Sequence, residues 1–154
     1  MNAIEPAFTC ISDEIPVRTG GELDIVDITG MIRGCVRETG VREGTAHLFV
    51  AGQTAGLTTI EYEPGAVSDL RNALKRLAPD SLDYEHNARW GDGNGRSHIR
   101  AALVGPDLTV PVRSGEVLLG TWQQIVLVEM DLRDRERKIH LTVVGTRQDP
   151  EGLR

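Results

Sequence analysis

The chain has 154 residues, with 17 Lys and Arg against 23 Asp and Glu, a formal net charge of -6, and 40% hydrophobic and 26% charged residues. That composition reads as one soluble globular domain spanning residues 1–154, long enough to bury a core without disulfides or metal. The acidic balance excludes a general nucleic-acid binder and an anionic membrane surface, since both run on clustered Lys and Arg, and no apolar run approaches the ~20 residues that span a bilayer.

The N-terminal stretch MNAIEPAFTCISDE has early acids and no apolar segment, unlike a signal peptide. Cys10 and Cys35 form no CxxC pair and no disulfide framework. A cytoplasmic protein is the expectation. AFTCISDE alternates weakly and is predicted as a first strand. IVDITGMIRGCVRETG places Ile25, Ile28, Met31, Ile32, Cys35 and Val36 at helical spacing, with Asp27 or Thr29 as the cap and Gly40 as the stop. AHLFVAG and LTTIEYEPG read as two strands around the turn GQTAG. AVSDLRNALKRLAP is a helix with Val67, Leu70, Leu74 and Leu77 on one stripe and Ser68 as a candidate cap.

YEHNARWGDGNGRSH, residues 84–98, then reads as a loop. SHIRAALVGP follows as a short helix with Ser97 as its cap. LTVPV is a strand whose proline suits an edge or a bulge. EVLLGTWQQIVLVEMDL and RKIHLTVVG are predicted as two long strands joined by the charged turn RDRER. Neighbouring strands with irregular helices between them predict an α+β fold, mainly an antiparallel sheet with a few helices.

Three clusters have the residue types of a site. His86 and His98 flank a Gly/Asn loop, and neutral imidazoles suit zinc and related ions. A third ligand must come from elsewhere, with Glu61, Glu63, Glu129 and Asp92 as candidates. The plain alternative is ordinary hydrogen bonding by both rings, which would place them more than about 8 Å apart and out of reach of ~2.0–2.1 Å bonds to one zinc. The second cluster is GQTAGLTTIEYEPG. Its small-residue turn exposes backbone N–H groups that can hold an anion. Glu61 and Glu63 share a face if they lie on a strand, where they either bind a cation or form a solvated acidic edge. The third is GTWQQI. Trp122 reads as core or interface, Gln123 needs a partner if buried, and Glu129 shares the face of Gln123. Cys35, Cys10, His47 and His140 read as structural or exposed. RDRERKIH reads as a solvated turn. No GxGxxG, Walker A, HExxH or GxSxG pattern occurs.

Taken in order, TAGLTTIEYEPG, Asp69–Leu70, YEH, DGNGRSH, GP, VPV, GTWQQIVLVEMD and RKI resemble the YjbQ-like family, whose members are often labelled secondary thiamine-phosphate synthase. The resemblance runs from about Ala46 to Gly145. It implies a compact α+β domain assembled as a homotrimer. It also implies a site from Thr54, Glu61, Asp69, Tyr84, His86, Asn94, Ser97, His98, Trp122, Gln123, Glu129 and Arg137. Of these, Glu61, His86, His98, Gln123 and Glu129 are the catalytic candidates, and His86, His98 and Glu61 the metal ligands. Thr54, Asn94, Ser97, Trp122 and Arg137 are the substrate-binding candidates.

The implied activity is metal-assisted, with zinc or magnesium, on a small phosphorylated heterocycle. Glu61 and Glu63 are placed on Mg²⁺, Arg100, Arg137 and the GQTAG amides on phosphate, and Trp122 on a ring. Many relatives carry a histidine where this chain has Gly52, so a three-histidine site does not transfer. A non-catalytic metal- or metabolite-binding trimer is the alternative. Trimer formation would also cover the long apolar strand at 116–131 if its edge were open.

Overall fold

The computed structural model describes residues 7–147; the first six residues of the stretch read as lacking a signal peptide lie outside the described residues. The elements run β1 (Phe8–Thr19), β2 (Ile25–Asp27), α1 (Thr29–Thr39), β3 (Glu43–Val50), β4 (Ala55–Ile60), α2 (Pro64–Leu77), α3 (Glu85–Trp90), α4 (Gly95–Val104), β5 (Asp107–Arg113), β6 (Glu116–Val117), β7 (Gln124–Glu129) and β8 (Arg135–Thr146). The strands make two sheets, ordered β1-β8-β3-β5-β6 and β2-β7-β4. Every strand pair is antiparallel. The expected α+β class with antiparallel sheets is the class observed.

Strand β7 explains the layering. Side chains alternate along a strand, and here both faces are apolar. Ile125 and Leu127 enter one core with Leu48, Ile139, Leu141 and helix α1 residues Ile32 and Val36. Val126 and Val128 enter a second core with Val67 and Leu74 of α2 and Ala101 of α4. The three-stranded sheet is therefore a middle layer, with the larger sheet and α1 on one face and α2 and α4 on the other. A strand buried on both faces reads as a continuous apolar run.

Several expectations are corrected. The two strands expected around GQTAG are β3 and β4, but they lie in different sheets, and the second ends at Ile60, short of EYEPG. GTWQQI is not inside a strand: β6 stops at Val117, and Gly120–Gln123 is a turn in which the Gln123 amide donates to the Gly120 carbonyl at 3.1 Å. Trp122 is 71% exposed and leaves the core. The open-edge argument for residues 116–131 also falls, since β7 is paired on both sides.

Helix α2 is capped by Glu63, not Ser68. The Glu63 carboxylate accepts the amides of Ala66 and Gly65, and Pro64 supplies the first turn. Those two amides hold its carboxyl below the usual range. Leu77 is exposed rather than part of the stripe. The cap position of α1 is Ile28, not Asp27 or Thr29, although Asp27 Oδ1 accepts the Thr29 amide at 2.9 Å; Gly40 ends the helix in the left-handed region.

Candidate functional site

The stretch 84–98 is not a simple loop. It holds α3, a sharp turn and the start of α4. Gly91 and Gly93, both with φ of 70°, flank Asp92 in that turn. The two helices approach closely at Gly95, where a Cβ would meet Tyr84 Cβ at 2.6 Å. Asn87 Oδ1 accepts the Gly95 amide at 2.8 Å and fastens the pair. This close approach brings His86 and His98 together: their ring centroids are 4.4 Å apart and the rings meet edge to face at 70°. The alternative that separates the rings by more than about 8 Å is not what the chain adopts.

Asp92 and Asn94 complete the cluster. Asp92 Oδ2 lies 3.2 Å from His86 Nε2. The Asn94 amide end stands 3.1 Å from His86 Nε2, 3.2 Å from His98 Nε2, and 3.0 and 3.2 Å from the two Asp92 oxygens. With its nitrogen inward, Asn94 has two hydrogens to share among these four atoms; with its oxygen inward it has none to offer them. His98 Nδ1 lies 3.1 Å from the Gln53 carbonyl. A carbonyl only accepts, so Nδ1 carries the proton and Nε2 presents a lone pair to the centre. A cavity of about 500 Å³ opens over the cluster, walled by Tyr84, Ile99, Gln53 and the two imidazoles.

The loop at 51–54 joins this cluster to a buried ionic one. Glu129 ends β7 on the row of Ile125 and Leu127 and is fully buried. Its oxygens accept Arg137 Nε at 2.8 Å, Arg137 Nη2 at 2.5 Å, the Thr19 hydroxyl at 2.9 Å and the Asp131 amide at 2.8 Å. Arg137 Nη2 also donates to Thr54 Oγ1 at 2.8 Å and to the Thr54 carbonyl at 3.2 Å. Beside it Arg135 pairs with Asp131 at 2.5 Å. Burial pushes the Asp131 carboxyl up, but the Arg135 and Leu132 hydrogen bonds outweigh it and leave it lowered.

The other candidates are dispersed. Glu61 is exposed beyond the end of β4, so it does not share a strand face with Glu63. No three His, Cys, Asp or Glu side chains among the described residues already stand gathered as metal ligands, so the set His86, His98 and Glu61 is not assembled. Glu63 is occupied as a cap. Gln123 bonds Thr59 Oγ1 at 3.2 Å and the Gly120 amide at 3.0 Å, holding its own turn. Ser97 is not the helix cap, a position held by Asn94; it is fully buried and its hydroxyl has no partner among the described residues. Arg100 does not face an anion site but is buried against the end of α2. The residues that spacing undervalued are Asp92 and Gln53. The signal for Asp92 was its place between two glycines. Gln53 acts through its backbone, which no residue type reveals.

Fold and cleft define a two-sheet α+β protein with an imidazole–carboxylate cluster at the mouth of a small cavity. Residues 13–146 match the family described as UPF0047 protein YjbQ-like, and the chain belongs to that family. A UPF0047 protein of Methanothermobacter thermautotrophicus is 37% identical over 134 residues, 87% of this chain and 92% of that protein. One from Mycobacterium bovis is 40% identical over 120 residues, 78% of this chain and 91% of that protein. The crystal structure of a YbjQ-like protein of unknown function from Sulfolobus solfataricus is 33% identical, with a TM-score of 0.86 over 90% of this chain and 99% of that one.

Proposed function

We propose that the His86–His98 cleft is the working site of a small-molecule enzyme that uses a divalent metal ion. One observation carries this reading. His86 Nε2, His98 Nε2 and the Asp92 oxygens all lie 3.0–3.2 Å from the Asn94 amide end. Ligands held 2.0–2.1 Å from a common ion stand about 2.9–3.4 Å from one another. The spacing around Asn94 is therefore that of neighbours in a coordination shell. His86 and His98 would hold the ion, and Asp92 and Asn94 Oδ1 would complete the set only after their side chains turn, since no three His, Cys, Asp or Glu side chains among the described residues already stand as a metal site. Two imidazoles suit zinc or a similar ion better than magnesium, which takes oxygen ligands.

Bound there, the ion supplies charge that polarises a carbonyl or phosphoryl oxygen. The chain does the rest. Gln53 fixes the His98 tautomer, while Tyr84 and Ile99 offer apolar walls to a flat ring. The finer reading is a thiamine-phosphate-synthase-like transfer on phosphorylated heterocycles, supported by the family resemblance and by those walls. We place the protein in the cytoplasm, since the unpaired Cys10 is exposed and Cys35 is also a free thiol. We also infer a homotrimer, supported by the exposed Leu118 and Trp122; a clean monomer by light scattering at micromolar concentration would contradict it.

The test is metal content and turnover of the full chain beside His86→Ala and His98→Ala. The expected result is a bound zinc-type ion in the native chain, lost in both variants together with activity on phosphorylated heterocycles. Equal metal in all three proteins sinks the reading. Metal binding lost without any turnover in the native chain would favour a binding protein instead.

A further inference from the structure

The loop at 51–54 spends its carbonyls and leaves its amides idle. The Gln53 carbonyl accepts from His98, and the Thr54 carbonyl accepts from Arg137 and from the Met130 amide. The N–H groups of Gly52, Gln53 and Thr54 donate to nothing among the described residues. Arg137 has the same imbalance. Its Nε and Nη2 are taken by Glu129 and Thr54, while Nη1 makes no hydrogen bond among the described residues. Gly52 stands over that free edge, at φ +120°, and a Cβ there would come within 3.3 Å of Nη1. Glycine both takes this backbone conformation and leaves the approach to the guanidinium open.

Consecutive unpaired amides beside a guanidinium edge form an anion receptor. The local charges permit it. Glu129 is balanced by Arg137 and Asp131 by Arg135. Asp131 Oδ2 lies 3.4 Å from Thr54 Oγ1 and is already tied to Arg135.

We infer that the amides of residues 52–54 and Arg137 Nη1 bind the oxyanion end, phosphoryl or carboxylate, of the ligand that enters the cleft. Gln53 belongs to both places: it walls the cavity and sits in the middle of the idle amides. A ligand crossing Gln53 meets the imidazole cluster at one end and the loop amides at the other. That one ligand spans both rests on the metal-and-ligand reading above; the anion receptor does not.

The experiment titrates the metal-stripped, ¹⁵N-labelled full chain with inorganic phosphate and, in parallel, with acetate at matched ionic strength. Saturable shifts are expected at the Gly52, Gln53 and Thr54 amides and at the Arg137 guanidinium. The anion that saturates first identifies the end group. His86→Ala removes a metal donor and leaves the loop untouched, so it keeps the anion response even if no metal is ever bound. Arg137→Lys keeps the charge and loses Nη1, and is expected to weaken binding about tenfold, the cost of a charge-assisted hydrogen bond. If that variant does not fold, the native guanidinium resonances decide the result. No saturable shift at the three amides with either anion, or unchanged affinity in folded Arg137→Lys, overturns the inference.

Discussion

Arg100 is fully buried, and its guanidinium is spent on the far end of another helix. It donates to the carbonyls of Leu74 and Ala78 and to the carboxylates of Glu22 and Asp80. The last carbonyls of a helix have no partners of their own, so α4 closes α2 through this one side chain. Arg100→Ala leaves those carbonyls and carboxylates without it and is expected to cost about 3–5 kcal/mol, the usual cost of breaking a buried ion pair; urea denaturation measures it.

The same cluster sets an acid limit. The Arg96 hydrogen bond lowers the Glu22 carboxyl against its burial, and the Arg100 hydrogen bond lowers that of Asp80. A carboxyl lowered in the folded state adds stability that is full above its unfolded value and lost as pH falls through the folded one. Thermal stability should therefore drop below about pH 4, and Glu22→Gln should flatten that drop; parallel melting curves against pH would refute it. None of this was legible in SHIRAAL. Arg100 read as a possible phosphate ligand because its partners come from a helix more than twenty residues earlier in the chain.

At the scale of elements, the glycines separate into required and dispensable ones. Gly44 and Gly145 face each other across β3 and β8. A Cβ on Gly44 would collide with the Val144 carbonyl, and one on Gly145 with that of Glu43. Gly34 in α1 has open space where its side chain would go. Gly44→Ala is expected to break the β3–β8 pairing and fold poorly. Gly34→Ala should stabilise the fold by about 0.5–1 kcal/mol through helix propensity and so raise Tm. Calorimetry on both checks the contrast.

Helix α2 and the body of α1 were legible because their apolar spacing is local, but Ile25–Asp27, read as the start of α1, is strand β2, and Met31 is exposed. The Glu63 cap was missed because Glu is an uncommon residue at that position. The strand through GTWQ was overextended because an apolar run does not announce the turn at its head.

For the whole molecule, the α+β class and its antiparallel pairing followed from sequential strands. The division into two sheets did not. The link from β3 to β4 has the composition of a hairpin, and only the paired faces of β7 reveal that the chain changes layer there. The histidine pair was legible as a pair. Asp92 was one of four candidate partners and Asn94 a candidate site residue, but spacing did not single out Asp92, which a glycine-flanked turn brings in, and Gln53 acts through its backbone.

The docking of α3 has a consequence for motion. No residue of α3 is buried, and the helix is fastened by Asn87 on Gly95. It should open and reclose far more often than β3, β7 or β8, whose side chains fill the cores. A ligand gripping both His86 and His98 would bridge that opening. Its effect on hydrogen exchange should then fall on residues 84–98 and on the loop amides of 52–54, slowing exchange there while the sheets keep their rates.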